Sequence, residues 1–166
     1  HMRTNDAVAV MENCSGLVLG CILRERPGVE VINVKQKGAK QGLVQVLAPG
    51  AQCTQVAYPD GQVPPVGTLV IASDLDPMET VKALFPSLQV GGSLVVFGQF
   101  LSQLAEVYNA LRRVGAIVDG DLAEPFSREI QVLPGRTHPE VTMDANAGYL
   151  LFGTKVGDLT FEETPD

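Results

Sequence analysis

The 166 residues carry 12 Lys plus Arg against 19 Asp plus Glu, a net charge of −7, and 45% of them are hydrophobic. That length suits one domain with a substantial core, and the acidic balance repels phosphate backbones, so nucleic-acid contact needs a local basic patch or a partner chain. Cys14, Cys21 and Cys53 have an odd count and no metal-ligand spacing, which points to reduced thiols, and no apolar run is long enough to span a membrane.

No signal-peptide pattern precedes the first strand. His1 and Met2 read as a cloning scar, residues 1–6 as a lead-in, and residues 7–157 as the domain, with 158–166 as a tail. The abrupt start suggests a fragment of a longer protein.

Residues 8–11 (VAVM) predict a buried strand, 12–16 a tight turn and 17–23 the opening of a helix. In a doubly wound α/β domain this unit lies mid-sheet, at the switch point where a nucleotide-like cofactor is held. Such sites want glycines at G-x-G-x-x-G spacing, so that the backbone approaches the ligand. Here only Gly16 and Gly20 are present, and Asn13, Cys14 and Ser15 stand where side chains would crowd a ligand. Glu12, Ser15, Gly16 and Asn33 therefore mark a degenerate site.

Arg26-Pro27-Gly28 stops the helix, and residues 29–34 (VEVINV) predict the second strand. An acid ending that strand would take the cofactor's ribose hydroxyls. The chain offers Asn33, Val34 and Lys35 instead. Residues 35–47 predict a helix stopped by Pro49-Gly50. Its Lys35, Lys37 and Lys40 read as a solvated face, with RNA contact the lesser alternative. Residues 53–57 suggest an edge strand and 58–67 (YPDGQVPPVG) a Pro/Gly-rich loop.

Residues 68–72 (TLVIA) predict a central strand, followed by Ser73-Asp74-Leu75-Asp76 at its carboxyl end. Paired acids there invite a catalytic reading, but Asp76-Pro77-Met78-Glu79 is the pattern of a helix start, with Asp76 as N-cap. Asp74 stays open between the two. The helix extends over 78–88, Gly91-Gly92 turns the chain, and 93–98 (SLVVFG) returns as a strand. Residues 101–114 are the clearest amphipathic helix, with Leu101, Leu104, Ala105, Tyr108 and Leu111 facing the core and Gly115 stopping it after Arg112 and Arg113.

Residues 116–121 begin another strand, and the β-rich segments 130–133 and 149–156 follow with no helix between them, so they are expected to pair antiparallel. A mostly parallel α/β sheet with helices on both faces, finished by a carboxyl-terminal antiparallel pair, is the pattern of the Rossmann-like class I methyltransferase fold.

The segment Gln131-Val132-Leu133-Pro134-Gly135-Arg136-Thr137-His138-Pro139, followed by Gly148-Tyr149-Leu150-Leu151-Phe152-Gly153, resembles the non-catalytic subunit of the eukaryotic tRNA (adenine-N1)-methyltransferase. Residues 11–20 (MENCSGLVLG) look like that family's degenerate first motif, and Ile71-Ala72-Ser73 with Phe97-Gly98-Gln99-Phe100 fits its central strands. The resemblance implies a methyltransferase-like domain that has lost cofactor binding and follows an amino-terminal β-rich domain. It implies a catalytic partner that binds S-adenosylmethionine, assembly of two such pairs into a heterotetramer, and a nuclear setting. There the complex makes 1-methyladenosine in the tRNA T-loop, including on initiator tRNA, and relatives carry translation-initiation labels. The short connection at 58–67 departs from relatives that hold a long charged insertion there.

On this reading the chain itself is not an enzyme and holds no cofactor. Arg128, Arg136 and His138 are the candidates for contact with tRNA or the partner: the guanidinium fork of Arg136 suits a phosphate, and His138 can stack or donate. The structural alternative has Arg136 bracing a proline-flanked hairpin and His138 shaping its turn. One native histidine permits no Ser-His-Asp set and no His-rich metal site. Two other functions stay open: an active S-adenosylmethionine-dependent RNA methyltransferase, and a nucleotide-binding oxidoreductase domain, which Asn33 and the missing glycines disfavour.

Overall fold

The computed structural model describes residues 7–36, 38, 42–126, 128–139 and 147–159. Among these residues nine strands and four α-helices alternate at first and then turn purely β. They are β1 (Val8–Glu12), α1 (Leu17–Glu25), β2 (Val31–Gln36), α2 (Gly42–Leu47), β3 (Thr54–Tyr58), β4 (Val66–Ala72), α3 (Pro77–Leu84), β5 (Leu88–Gly98), α4 (Leu101–Arg113), β6 (Ile117–Ala123), β7 (Ile130–Leu133), β8 (Arg136–Pro139) and β9 (Tyr149–Lys155).

Seven strands form one sheet in the order β3-β2-β1-β4-β5-β9-β6. The first five are parallel, while β9 runs antiparallel to both neighbours, β5 and β6. Side chains alternate across the sheet, so each face has its own core. On one face Ala9, Met11, Ile32, Leu69, Ile71, Leu94, Val96 and Leu151 pack with Val81 and Leu84 of α3 and Leu104, Val107 and Leu111 of α4. On the other, Val8, Val10 and Val31 pack with Leu19 of α1 and Val44 of α2.

Local chemistry explains the element ends. Asp76 caps α3, its Oδ1 accepting from the Glu79 amide at 2.9 Å, and Pro77 fills the first helical position. Gly115, at φ 66, turns the chain after α4. Tyr108 packs against the core and donates to the Gly120 carbonyl at 3.0 Å, holding β6 where its register slips.

Several boundaries differ from the sequence reading. The second strand runs on to Gln36, because Lys35 and Gln36 pair with Ala57 and Tyr58, so α2 shrinks to six residues. Of the lysine cluster, Lys35 lies in a strand and Lys37 and Lys40 fall outside the described residues. Helix α3 stops at Leu84, a short 3-10 turn covers Phe85–Ser87, and Gly91-Gly92 lies within an 11-residue strand, at an irregularity where residues 89–92 stand opposite Gly67 alone and Gly91 has φ 81. In α4 it is Val107 that is buried, while Leu101 is 46% exposed.

Residues 130–133 do not pair with 149–155. They pair with the unforeseen strand β8 in a separate hairpin, while β9 inserts between β5 and β6. At the carboxyl end, Asp158 pairs with the buried Lys155 at 2.9 Å and Leu159 packs on the core, so the domain reaches past residue 157. Lys155 also donates to the Phe85 carbonyl at 3.2 Å and lies 4.8 Å from that ring's centroid.

Candidate functional site

The carboxyl edge of β1, β4 and β5 forms a cleft of about 180 Å³, lined by Asn13, Cys14, Ser73, Asp74, Phe100 and Gln103 among others. Ligand pockets for drug-sized molecules run to about 300–1,000 Å³. The cleft is therefore small for a dinucleotide or a nucleoside with a long tail.

Asn13 and Cys14 bring the start of the β1–α1 turn into its wall. Ser15 sits at φ 59 and Gly16 at φ 90, both left-handed, so the backbone keeps a shape suited to glycine although one of the two residues carries a side chain. The first-turn amides of α1 would be the ligand's donors in a cofactor site. Two of them are already taken: Glu12 accepts from the Val18 amide at 3.0 Å and from the Leu19 amide at 2.9 Å. Glu12 is 2% exposed, so its carboxylate is held in place by those bonds and sits beside the positive end of the helix.

The Ser15 carbonyl accepts from the Leu43 amide at 2.9 Å, tying the turn to α2. Gly20 serves packing, since a Cβ there would meet Leu47 at 2.9 Å. Cys14 leans on the Ala72 carbonyl, its Sγ 3.7 Å away. Burial first, then the charge of Glu12, pushes its thiol pKa up, against a smaller lowering from the Asn13 backbone.

Asn33 is not at the lip. It is 1% exposed, in register with Val10 and Gln55, and lies inside β2, so the strand's carboxyl end carries Lys35 and Gln36. Neither is an acid. Asp74 is exposed at the rim of the cleft. The Ser73 hydroxyl is buried and has no hydrogen-bond partner among the described residues. Occupied amides, a serine at a left-handed position and no acid ending β2 do not fit an S-adenosylmethionine site. Among the described residues no cluster of His, Cys, Asp and Glu is placed to hold a metal.

Arg128, Arg136 and His138 do not line this cleft; they lie on or beside the β7–β8 hairpin. Pro134 and Gly135, the latter at φ 74, form its tight turn, as a type II turn requires. Cross-strand partners share a face, so Ile130 and Val132 join Pro139 and Thr137 on one side, while Gln131 and Leu133 join His138 and Arg136 on the other. Ile130 is 51% and Val132 72% exposed. His138 Nδ1 donates to the Pro139 carbonyl at 2.8 Å, which fixes its ring. Arg128 and Arg136 are exposed and make no ion pair among the described residues.

Sequence reasoning found the turn and the hairpin loop but missed Glu12 as a double acceptor and Gln103 and Phe100 as cleft walls. An acid closing a strand just before a helix was the available signal for the first. For the others there was none beyond their place after an apolar run.

The sheet order and the antiparallel β9 define a class I methyltransferase-like domain, and the structure of a tRNA (m1A58) methyltransferase, TrmI from Aquifex aeolicus, superposes with a TM-score of 0.68 at 20% identity, over 92% of this chain and 63% of that one. No family model matches. In sequence, the chain is similar to the non-catalytic subunits of tRNA (adenine(58)-N(1))-methyltransferase. It is 32% identical over 126 residues to that of Dictyostelium discoideum, covering 76% of this chain and 22% of the relative. It is 35% identical over 88 residues to that of Mus musculus, covering 53% of this chain and 18% of the relative. The chain thus spans about a fifth of the length of the curated relatives it matches.

Proposed function

We propose that this domain is the catalytically silent, methyltransferase-like part of a non-catalytic tRNA (adenine-N1)-methyltransferase subunit, which assembles with a catalytic subunit and helps hold tRNA against that partner's active site. The observation that carries this reading is Glu12, whose carboxylate occupies the Val18 and Leu19 amides that a cofactor would need. The similarity to subunits named non-catalytic agrees with it. The chain holds no cofactor of its own; S-adenosylmethionine belongs to the partner, and two subunit pairs form a heterotetramer in the nucleus.

The hairpin gives this assembly its contact surface. A two-stranded hairpin is marginal alone, and the exposed Ile130 and Val132 suit a protein surface, while Arg128 and Arg136 carry the donors suited to tRNA phosphate and the His138 ring offers a stacking face. With a net charge of −7, RNA binding is local to such groups and needs the partner.

Calorimetric titration and co-purification test this together. The expected result is no saturable S-adenosylmethionine binding by this chain, and a stable complex with the catalytic subunit that methylates tRNA. Micromolar binding of the methyl donor, or methyl transfer by this subunit alone, would replace the proposal with an active methyltransferase.

A further inference from the structure

The cleft at the carboxyl edge of β1, β4 and β5 has a one-sided chemistry. Its lining brings Asp74 together with the amides of Asn13, Gln99 and Gln103 and the rings of Phe97 and Phe100, and among the described residues no Lys, Arg or His takes part. Asp74 is exposed and makes no ion pair or hydrogen bond among the described residues, whereas Asp76 is engaged as the cap of α3. A second negative charge stands behind the wall, because the Glu12 carboxylate acts on the Cys14 thiol. Ser73, also in the lining, has a hydroxyl without a partner among the described residues. Phe100 immediately precedes α4 and is 60% exposed.

Acceptors and an aromatic face without a cation make half of a recognition site. A single carboxylate attracts a positive charge, amide and hydroxyl oxygens take N–H groups, and an exposed ring offers a π-face. A guanidinium answers all three, being planar, always charged and equipped with five donors in a fixed fork. An ammonium is a hydrated point charge with no plane to lay on the ring. The volume, about 180 Å³, falls below the range for drug-sized ligands and suits the end of one side chain.

We infer that this cleft receives an arginine side chain of the catalytic subunit, with Asp74 as its counter-ion and Phe100 against its plane. The partner's identity rests on the assembly proposed above, and the guanidinium rests on the cleft alone. Charge selects the occupant: a chain with a net charge of −7 draws a cationic protein segment and repels a base that arrives with its phosphates. A contact this small holds no free molecule tightly, so the guanidinium is delivered on a larger surface.

Two titrations test the inference. In the first, the isotope-labelled 166-residue chain is titrated by NMR with N-acetyl-arginine methylamide, with its neutral citrulline isostere, and with adenosine. Saturable shifts of the Asp74, Gln99 and Phe100 amides are expected from the arginine probe alone, and Asp74→Asn should abolish them. Equal shifts from citrulline, or larger ones from adenosine, overturn the guanidinium assignment.

In the second, the full-length protein is titrated with the catalytic subunit. Asp74→Asn should weaken the complex about tenfold and Phe100→Ala about threefold. Both residues are exposed, so neither change threatens the fold. Glu106→Gln removes the same charge on α4 outside the cleft and should leave the affinity unchanged. Unchanged affinity in Asp74→Asn, or equal losses in Asp74→Asn and Glu106→Gln, overturns the inference. Failure of the wild-type pair to associate removes the proposed assembly and the partner with it, while the probe titration still decides what the cleft accepts.

Discussion

The β1–α1 turn and the β7–β8 hairpin treat their polar and apolar groups in opposite ways. In the turn, Glu12 satisfies two helix amides, Ser15 bonds to Leu43, and Gly20 closes on Leu47, so the groups that would greet a ligand are consumed internally. In the hairpin, Ile130 and Val132 face outward and Arg128 and Arg136 make no ion pair among the described residues. The difference is one of satisfaction: the turn answers the Val18 and Leu19 amides from within, whereas the hairpin leaves apolar and cationic side chains to solvent.

The sharpest way to break this contrast is Glu12→Ala. Two buried amides lose a charged acceptor, and the chain should lose about 3 kcal/mol of stability in urea denaturation. A loss under about 1 kcal/mol would mean that water reaches those amides and the turn is open. Next comes the hairpin: Ile130→Ser with Val132→Ser should weaken the complex with the catalytic subunit about tenfold, near 1.4 kcal/mol, in a binding titration. The isolated chain should keep its stability within about 0.5 kcal/mol, because these side chains are exposed.

Ser15→Gly relieves the left-handed side chain at φ 59 and should stabilise the chain by up to about 1 kcal/mol, while a methyl-donor titration stays flat because Glu12 still holds the amides. The smallest effect is kinetic. Cys14, its thiol pKa raised by burial and then by Glu12, should alkylate more slowly than the exposed Cys21 at pH 8 and keep accelerating above the ordinary thiol range. A raised folded-state pKa also fixes the sign for stability: the protonated thiol's contribution is intact below the unfolded value and fades as pH climbs through the folded one.

Much of the fold was legible because its signals are local. Asp76-Pro77-Met78-Glu79 announces a helix start through hydrogen bonds within four residues, and the apolar runs at 8–11 and 68–72 announce buried strands. What failed was pairing across distance. Lys35 and Gln36 look helical until Ala57 and Tyr58 lie beside them, and Gly91-Gly92 looks like a turn until β4, pairing with Leu88 before it and Ser93 after it, makes it an irregularity inside one strand. Arg136-Thr137-His138-Pro139 has no strand composition, and only the Pro134-Gly135 turn draws it into a ladder with β7. For the site, the missing glycines were visible, but the depth of Asn33 and the reach of Glu12 depend on tertiary position.

Glu12 precedes the amides it serves by six and seven residues along the same chain. A small molecule in that place would stabilise the domain in proportion to the logarithm of its supply, so folding and partner assembly would rise and fall with metabolism. An acceptor built into the backbone's own neighbourhood is always present at full strength, so what it contributes to the turn does not depend on the concentration of any ligand.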